Sequence, residues 1–239
     1  MPKGCADCNY SGYTLVEENG YTVIKNCKCL DSLSYERLLE KANIPRRYWE
    51  FGVSGIDKAH IELNAKSFET VNTYIGNLDY NTKRGKGFWV VSNPGLGKST
   101  ILCEVLKTAV SQNKKVYYIK ASKIIDMKYA ALRDRQVSSL VDYITDDVDI
   151  LAIDEFDKVY LPEASTNQEE PGQVYATASM TRMLFFNFLS DVYDSRKSLI
   201  ISSNRSRKKT IEKYNTDILD RLRELPLIKL IGQSARQKG

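Results

Sequence analysis

Several things are scarce or missing in this sequence. It has a single histidine, two tryptophans and four methionines, and no apolar run approaches the length of a membrane span. Its first residues, MPKGCADC, carry no apolar core of a secretory signal. No internal repeat and no low-complexity tract interrupts the chain. These absences argue against membrane-spanning and secreted classes and set the expectation of a cytoplasmic protein with no membrane partner. The one histidine, His60, is read as an ordinary surface or helix-start residue rather than a ligand. Neither sign of charge dominates: 35 Lys and Arg stand against 30 Asp and Glu, and the net +5 permits nucleic-acid binding without demanding it.

What is present is ordinary in bulk and specific in detail. With 239 residues, 42% hydrophobic and 27% charged, the chain can build one sizeable α/β domain and a small accessory module. Four of its five cysteines fall within the first thirty residues. Cys5-x-x-Cys8 and Cys27-x-Cys29 flank YTLVEENGYTVIK, whose Asn19-Gly20 predicts a hairpin turn. A hairpin would bring both pairs together, and four thiolates suit a closed, structural Zn²⁺ site. Such a site can contribute on the order of 10 kcal/mol to a module too small for a core of its own. Cys103, on a later helix, is read as a buried small hydrophobe.

A short helix is expected over 31–43, and Pro45 then forces extended chain. The stretch IPRRYWEFGVSGID reads as a linker that packs an aromatic cluster against the next part of the chain. Residues 58–79 place Ile61, Phe68, Val71, Ile75 and Leu78 on one helical face, and NTKRGKG (81–87) reads as a basic loop. Strands are then expected at 88–92, 115–120, 148–153, 197–203 and 226–231. Helices are expected at 98–112, in two pieces over 121–146, at 174–194 and at 206–224. This alternation predicts a parallel sheet covered on both faces. The polar stretch 157–173 is expected to be a long loop.

FWVVSNPGLGKSTILCEVL (88–106) carries the first chemical signal. A buried strand, a glycine turn and a helix start together aim backbone N–H groups at an anion. Residues Asn93, Pro94, Gly95, Leu96, Gly97, Lys98, Ser99 and Thr100 form the candidate ATP-binding loop. Gly95 and Gly97 admit the phosphates, Lys98 reaches the β- and γ-phosphates, and the Ser99 hydroxyl coordinates Mg²⁺. Ser92 stands where the usual pattern has its first glycine; serine is tolerable there unless a positive φ is required. The run DVDILAIDEFD ends a second buried strand in Asp154, a Mg²⁺ holder through water, and Glu155, placed to activate the attacking water. Asn204 ends the strand SLIISS and can contact the γ-phosphate. Arg221 and Arg223, in DILDRLREL, offer charge for a phosphoryl-transfer transition state.

Single-stranded DNA binding needs cations for phosphates and aromatic faces for bases. The stretch 117–135 interleaves Tyr117, Tyr118 and Tyr129 with Lys120, Lys123, Lys128 and Arg133. NRSRKK (204–209) adds Arg205 and Arg207. The DNA-facing candidates are therefore Lys120, Lys123, Lys128, Tyr129, Arg205 and Arg207.

Taken together, CADCNYSGY…CKC, ANIPRRYWEF, NPGLGKST, LAIDEF, LIISSN, DRLRE and QSAR resemble, in that order, the AAA+ ATPases of the DnaC/DnaI helicase-loader type. The resemblance implies an α/β fold: a P-loop parallel sheet in the order 5-1-4-3-2, flanked by helices, without a C-terminal helical lid, behind a small N-terminal zinc-binding domain. It implies a division into residues 1–57 and an ATPase domain over 58–239. Lys98 and Ser99 become Walker A residues, Asp154 and Glu155 Walker B, and Asn204 sensor 1. Arg221 becomes a finger that reaches a neighbour's ATP, and Arg236 a sensor 2 arginine. Partners implied are a DnaB-like hexameric replicative helicase, single-stranded DNA, and further copies of the chain with ATP at their interfaces. Two other readings share these residues: a transposition helper of the IstB type, and a zinc-dependent adaptor that binds ATP without turnover.

Overall fold

The computed structural model describes residues 13–18, 21–26, 28–159, 173–214 and 221–233. Cys5, Cys8, Cys27, Arg236, the Asn19-Gly20 turn and most of the expected loop over 157–173 lie outside the described residues. At the N-terminus, β1 (Tyr13–Glu18) pairs antiparallel with β2 (Tyr21–Asn26), in a register that sets Glu18 opposite Tyr21. Helix α1 (Lys28–Lys41) comes next and carries Cys29 in its first turn.

The region read as one helix over 58–79 is three: α2 (Lys58–Leu63), α3 (Ala65–Gly76) and α4 (Leu78–Lys83). Two asparagines make the breaks. Asn64 (φ −115°, ψ 24°) and Asn77 (φ −120°, ψ 32°) leave helical geometry. Asn64 is engaged elsewhere: its Nδ2 donates to the carbonyls of His60 and Ile231, each at 2.9 Å, and its Oδ1 accepts from the Ile231 N–H at 2.8 Å. A side chain that pairs with a distant backbone competes with the local helix. The first part of the expected basic loop accordingly belongs to α4.

The centre of the fold is a five-stranded sheet, built from β3 (Phe88–Val91), β4 (Val116–Lys120), β5 (Ile150–Asp154), β6 (Ser198–Ser203) and β7 (Leu227–Lys229). Its spatial order is β4-β5-β6-β3-β7, and every neighbouring pair is parallel. Counting only this sheet's strands along the chain, and starting from the β7 edge, the order is 5-1-4-3-2. The connections are α5 (Lys98–Ser111), then α6 (Ala121–Ala131) with α7 (Arg135–Asp142), then α8 (Gln173–Asp194) and α9 (Arg207–Tyr214). The helix expected over 206–224 appears as α9 and a single 3-10 turn at Leu222–Glu224, with 215–220 outside the described residues.

Successive strand residues point to opposite faces, and each face has its own core. Phe88, Val90, Val116, Tyr118, Ile150, Ala152, Ile200 and Ile228 pack with α5, α3 and the end of α1. Trp89, Val91, Tyr117, Ile119, Leu151, Ile153, Leu199 and Ile201 pack on the other face with α6 to α9. A sheet covered on both sides reads as nearly continuous apolar strands, as these do. Leu39, Ala42, Ile44 and Tyr48 are buried in the first core, so the stretch between α1 and α2 is rooted in the body of the sheet fold. Among the described residues, no helix is long and apolar enough to cross a membrane.

Candidate active site

The carboxyl ends of β3, β5 and β6 and the start of α5 open into one cavity of about 560 Å³. Pro94, Gly95, Leu96, Gly97, Lys98, Ser99 and Thr100 line it, together with Asp154, Glu155 and Asn204. The volume lies within the range of small-molecule sites. Gly95 (φ 82°) and Gly97 (φ 86°) are left-handed, which an L side chain resists, so these glycines are needed where they stand. Ser92 is not among the positive-φ residues, which explains why serine serves in its slot.

Lys98 is 8% exposed, and its three ammonium protons are taken by the loop. Its Nζ donates to the Ser92 carbonyl at 2.8 Å and to Ser92 Oγ and the Asn93 carbonyl at 3.0 Å each. Burial lowers the Lys98 pKa to about 8, although Asp154, Asp157 and Glu155 pull it upward. Asp154 is 1% exposed and fully oriented. Its Oδ1 accepts from the Ser202 hydroxyl and, at 3.0 Å, from the Glu155 N–H. Its Oδ2 accepts from the Tyr118 hydroxyl at 2.5 Å. Burial, then the neighbouring Asp154 charge, pushes the Tyr118 phenol well above its ordinary pKa, so it remains a donor. Asn204 is fixed from behind, its N–H donating to Asp157 Oδ1 at 2.8 Å.

Glu155 has φ 56°, a left-handed backbone that costs a non-glycine residue about 1 kcal/mol or more. Its carboxylate is gripped by Lys158 at 2.8 Å and Lys120 at 3.2 Å. Partial burial opposes ionisation of Glu155, but the two ammoniums outweigh it and hold the carboxyl below its usual pKa.

A Mg²⁺ ion fits these donors. Ser99 and Asp154 line the same cavity, and one acceptor direction of Asp154 Oδ2 is uncommitted after the Tyr118 bond. Among the described residues, no group of three or more His, Cys, Asp or Glu side chains is arranged to hold a metal unaided.

The cavity has a second wall that motif spacing did not reveal. Arg47, Tyr48, Phe51, Ile56, Asp57, His60 and Leu63 line it, with Gly232 close against His60 and Leu63 and Gln233 beside it. The sequence does carry a signal for it. The aromatic cluster of IPRRYWEF is expected to pack against the chain beyond it, and two of its members, Tyr48 and Phe51, line the cavity together with the phosphate loop. Asn93 is exposed and does not line the cavity, although its carbonyl holds Lys98.

The DNA-facing candidates divide. Lys123 is exposed and pairs with Asp126 at 2.9 Å, while Lys120 is committed to Glu155. Lys128 is half-buried, and the Tyr129 hydroxyl lies 2.9 Å from Thr181 Oγ1. Arg205 is exposed; Arg207 instead donates to the carbonyls of Arg223 at 2.9 Å and Leu225 at 2.6 Å. Tyr117 and Tyr118 correct the expectation of base stacking: they are 8% and 2% exposed, one on each buried face of β4. Arg221 is outside the cavity of its own chain, half-exposed, 3.6 Å from Asp194 and with its guanidinium 5.3 Å from the Tyr193 ring centre.

A family model described as "ATPase family associated with various cellular activities (AAA)" matches residues 88–227, more than half of the chain. No curated protein matches. Among solved structures, the DnaC helicase loader is similar at 16% identity and a TM-score of 0.60, over 78% of this chain and 100% of that one. DnaI is similar at 18% identity and a TM-score of 0.58, over 79% of this chain and 95% of that one. AMPPCP-bound DnaA from Aquifex aeolicus is similar at 18% identity and a TM-score of 0.57, over 80% of this chain. The chain spans about half of the DnaA structures it matches, 53% of that one and 47% of a DnaA bound to AMPPCP and single-stranded DNA. Likeness at these identities establishes a shared fold.

Proposed function

The chain belongs to the AAA family of ATPases, and from that premise we propose that it is an ATP-driven loader that places a ring-shaped, DnaB-like replicative helicase on single-stranded DNA in the cytoplasm. The observation that carries this reading is the convergence of Lys98, Ser99, Asp154, Glu155 and Asn204 on one cavity. Overlap with the DnaC helicase loader over 78% of this chain and all of that one supports the choice of a replication partner.

In this reading the α5 N-terminus and Lys98 hold the phosphates of ATP. Ser99 and Asp154 hold a Mg²⁺ ion, which when bound neutralises charge on the β- and γ-phosphates. Glu155 takes the proton of the attacking water, and Asn204 orients that water against the γ-phosphate. Arg221 serves the ATP of a neighbouring copy, which makes the assembled oligomer the working unit. Residues 1–57, in which Cys5, Cys8, Cys27 and Cys29 would hold a Zn²⁺, form the helicase-binding module, its end from Leu39 onward packed into the motor formed by 58–239. Arg236 assists at the phosphates. Lys120, Lys123, Lys128, Tyr129, Arg205 and Arg207 remain the DNA-contact set, with Lys123 and Arg205 the most accessible.

The direct test is co-purification with the replicative helicase, combined with hydrolysis assays with and without single-stranded DNA. Glu155→Gln should retain nucleotide binding and lose turnover by about 10²–10⁴-fold. Absence of nucleotide binding by the unmodified protein would refute the reading. Binding without any hydrolysis would leave the adaptor alternative, and capture of a transposase instead of a helicase would favour the transposition helper.

A further inference from the structure

Tyr118 has a place in the site that no motif assigns. It lies on β4 directly opposite Ala152 of β5, two residues before Asp154. A period of two puts Tyr118 and Asp154 on the same sheet face as diagonal neighbours, within reach of a long aromatic side chain. Ser202 approaches the same carboxylate from β6 on the other side. Oδ1 is saturated by two donors, the Ser202 hydroxyl and the Glu155 N–H. Oδ2 has one donor, Tyr118, and one acceptor direction left.

The tyrosine is itself immobilised. Its backbone N–H donates to the Ala42 carbonyl at 2.9 Å, and its carbonyl accepts from Asn43 Nδ2 at 2.8 Å. The edge of the sheet is therefore closed at this residue by the chain just beyond α1. A phenol with a fixed backbone and a buried ring has little freedom to leave the carboxylate.

We propose that Tyr118 is a positioning residue for metal binding: its hydroxyl fixes the Asp154 carboxylate so that the remaining acceptor of Oδ2 is held ready for the hydration shell of Mg²⁺. This rests on the ATP-site reading above. Partners that orient a metal-binding group commonly matter by 10–100-fold in metal affinity. Removal of the hydroxyl alone leaves the ring in the core and frees the carboxylate to rotate about its remaining bonds.

The experiment uses the full chain, a fluorescent mant-ADP and a Mg²⁺ titration, with Mn²⁺ binding followed by electron paramagnetic resonance. In Tyr118→Phe, the half-saturating Mg²⁺ concentration for the nucleotide complex should rise about tenfold or more, with a matching loss of Mn²⁺ affinity. Affinity for mant-ADP in EDTA should stay at the unmodified value, because the phosphate loop is untouched. An unchanged Mg²⁺ requirement in Tyr118→Phe, where the unmodified protein responds to Mg²⁺, overturns the positioning role alone. Equal losses with and without metal also overturn it, since they mark general damage to the fold. No Mg²⁺ response in the unmodified protein removes the site reading, and this inference with it.

Discussion

At Lys98 the sequence posed a question that a single hydroxyl answers. Serine in the first-glycine slot is compatible with the loop because its backbone does not enter the left-handed region, and its Oγ becomes a ligand of the ammonium. That Lys98, Ser99, Asp154 and Glu155 would meet in one place was legible in the sequence, because the strand-loop-helix context restricts where these groups can sit. The grip of Lys120 on Glu155 was not, since spacing says nothing about side chains that meet across strands, whereas Lys158 reaches Glu155 locally from three residues on. That grip has a kinetic consequence. A partly exposed ion pair is worth about 0.2–1 kcal/mol, so Lys120→Ala should raise DNA-free hydrolysis roughly 1.4- to fivefold. A steady-state phosphate-release assay without DNA checks this, and a fall in rate would show that Lys120 supports the base instead of restraining it.

Among the elements, the strands of the parallel sheet were readable as apolar runs and their bounds held within about two residues. The helices of the α2–α4 region were misjudged as one because periodicity registers an apolar face and not the asparagine that interrupts it. Phe68, Val71 and Leu78 are buried as the pattern required. Asn64 diverts its side chain to residue 231, 167 positions along the chain, a contact that no local window contains. Asn64→Ala would strip the Ile231 backbone of these bonds and should lower stability by about 1–3 kcal/mol. Thermal unfolding measures this; an unchanged midpoint would mean that water replaces the amide at no cost. The expected base-stacking role of Tyr117 and Tyr118 failed for a related reason, because an interleaved basic-aromatic string looks the same whether its aromatics face solvent or the core.

For the molecule as a whole, Arg221 tests whether the chain works alone. Its guanidinium sits beside Asp194 and Tyr193, away from its own cavity, so any catalytic service must be rendered to another copy. Arg221→Ala should keep nucleotide affinity while losing about 10³-fold or more in turnover. Mixing Arg221→Ala with Glu155→Gln should restore part of the rate if copies assemble, because a mixed assembly would contain some intact junctions. A mixture as inactive as its components would place Arg221 outside the reaction. The path between α1 and α2 also links two distant parts of the chain. The stretch that supplies Arg47, Tyr48 and Phe51 to the cavity wall follows directly on Leu39 and Ala42, which are buried in the core. Should a partner bound to the leading segment shift that stretch and change the cavity's affinity for nucleotide, nucleotide would change the affinity for that partner by the same factor.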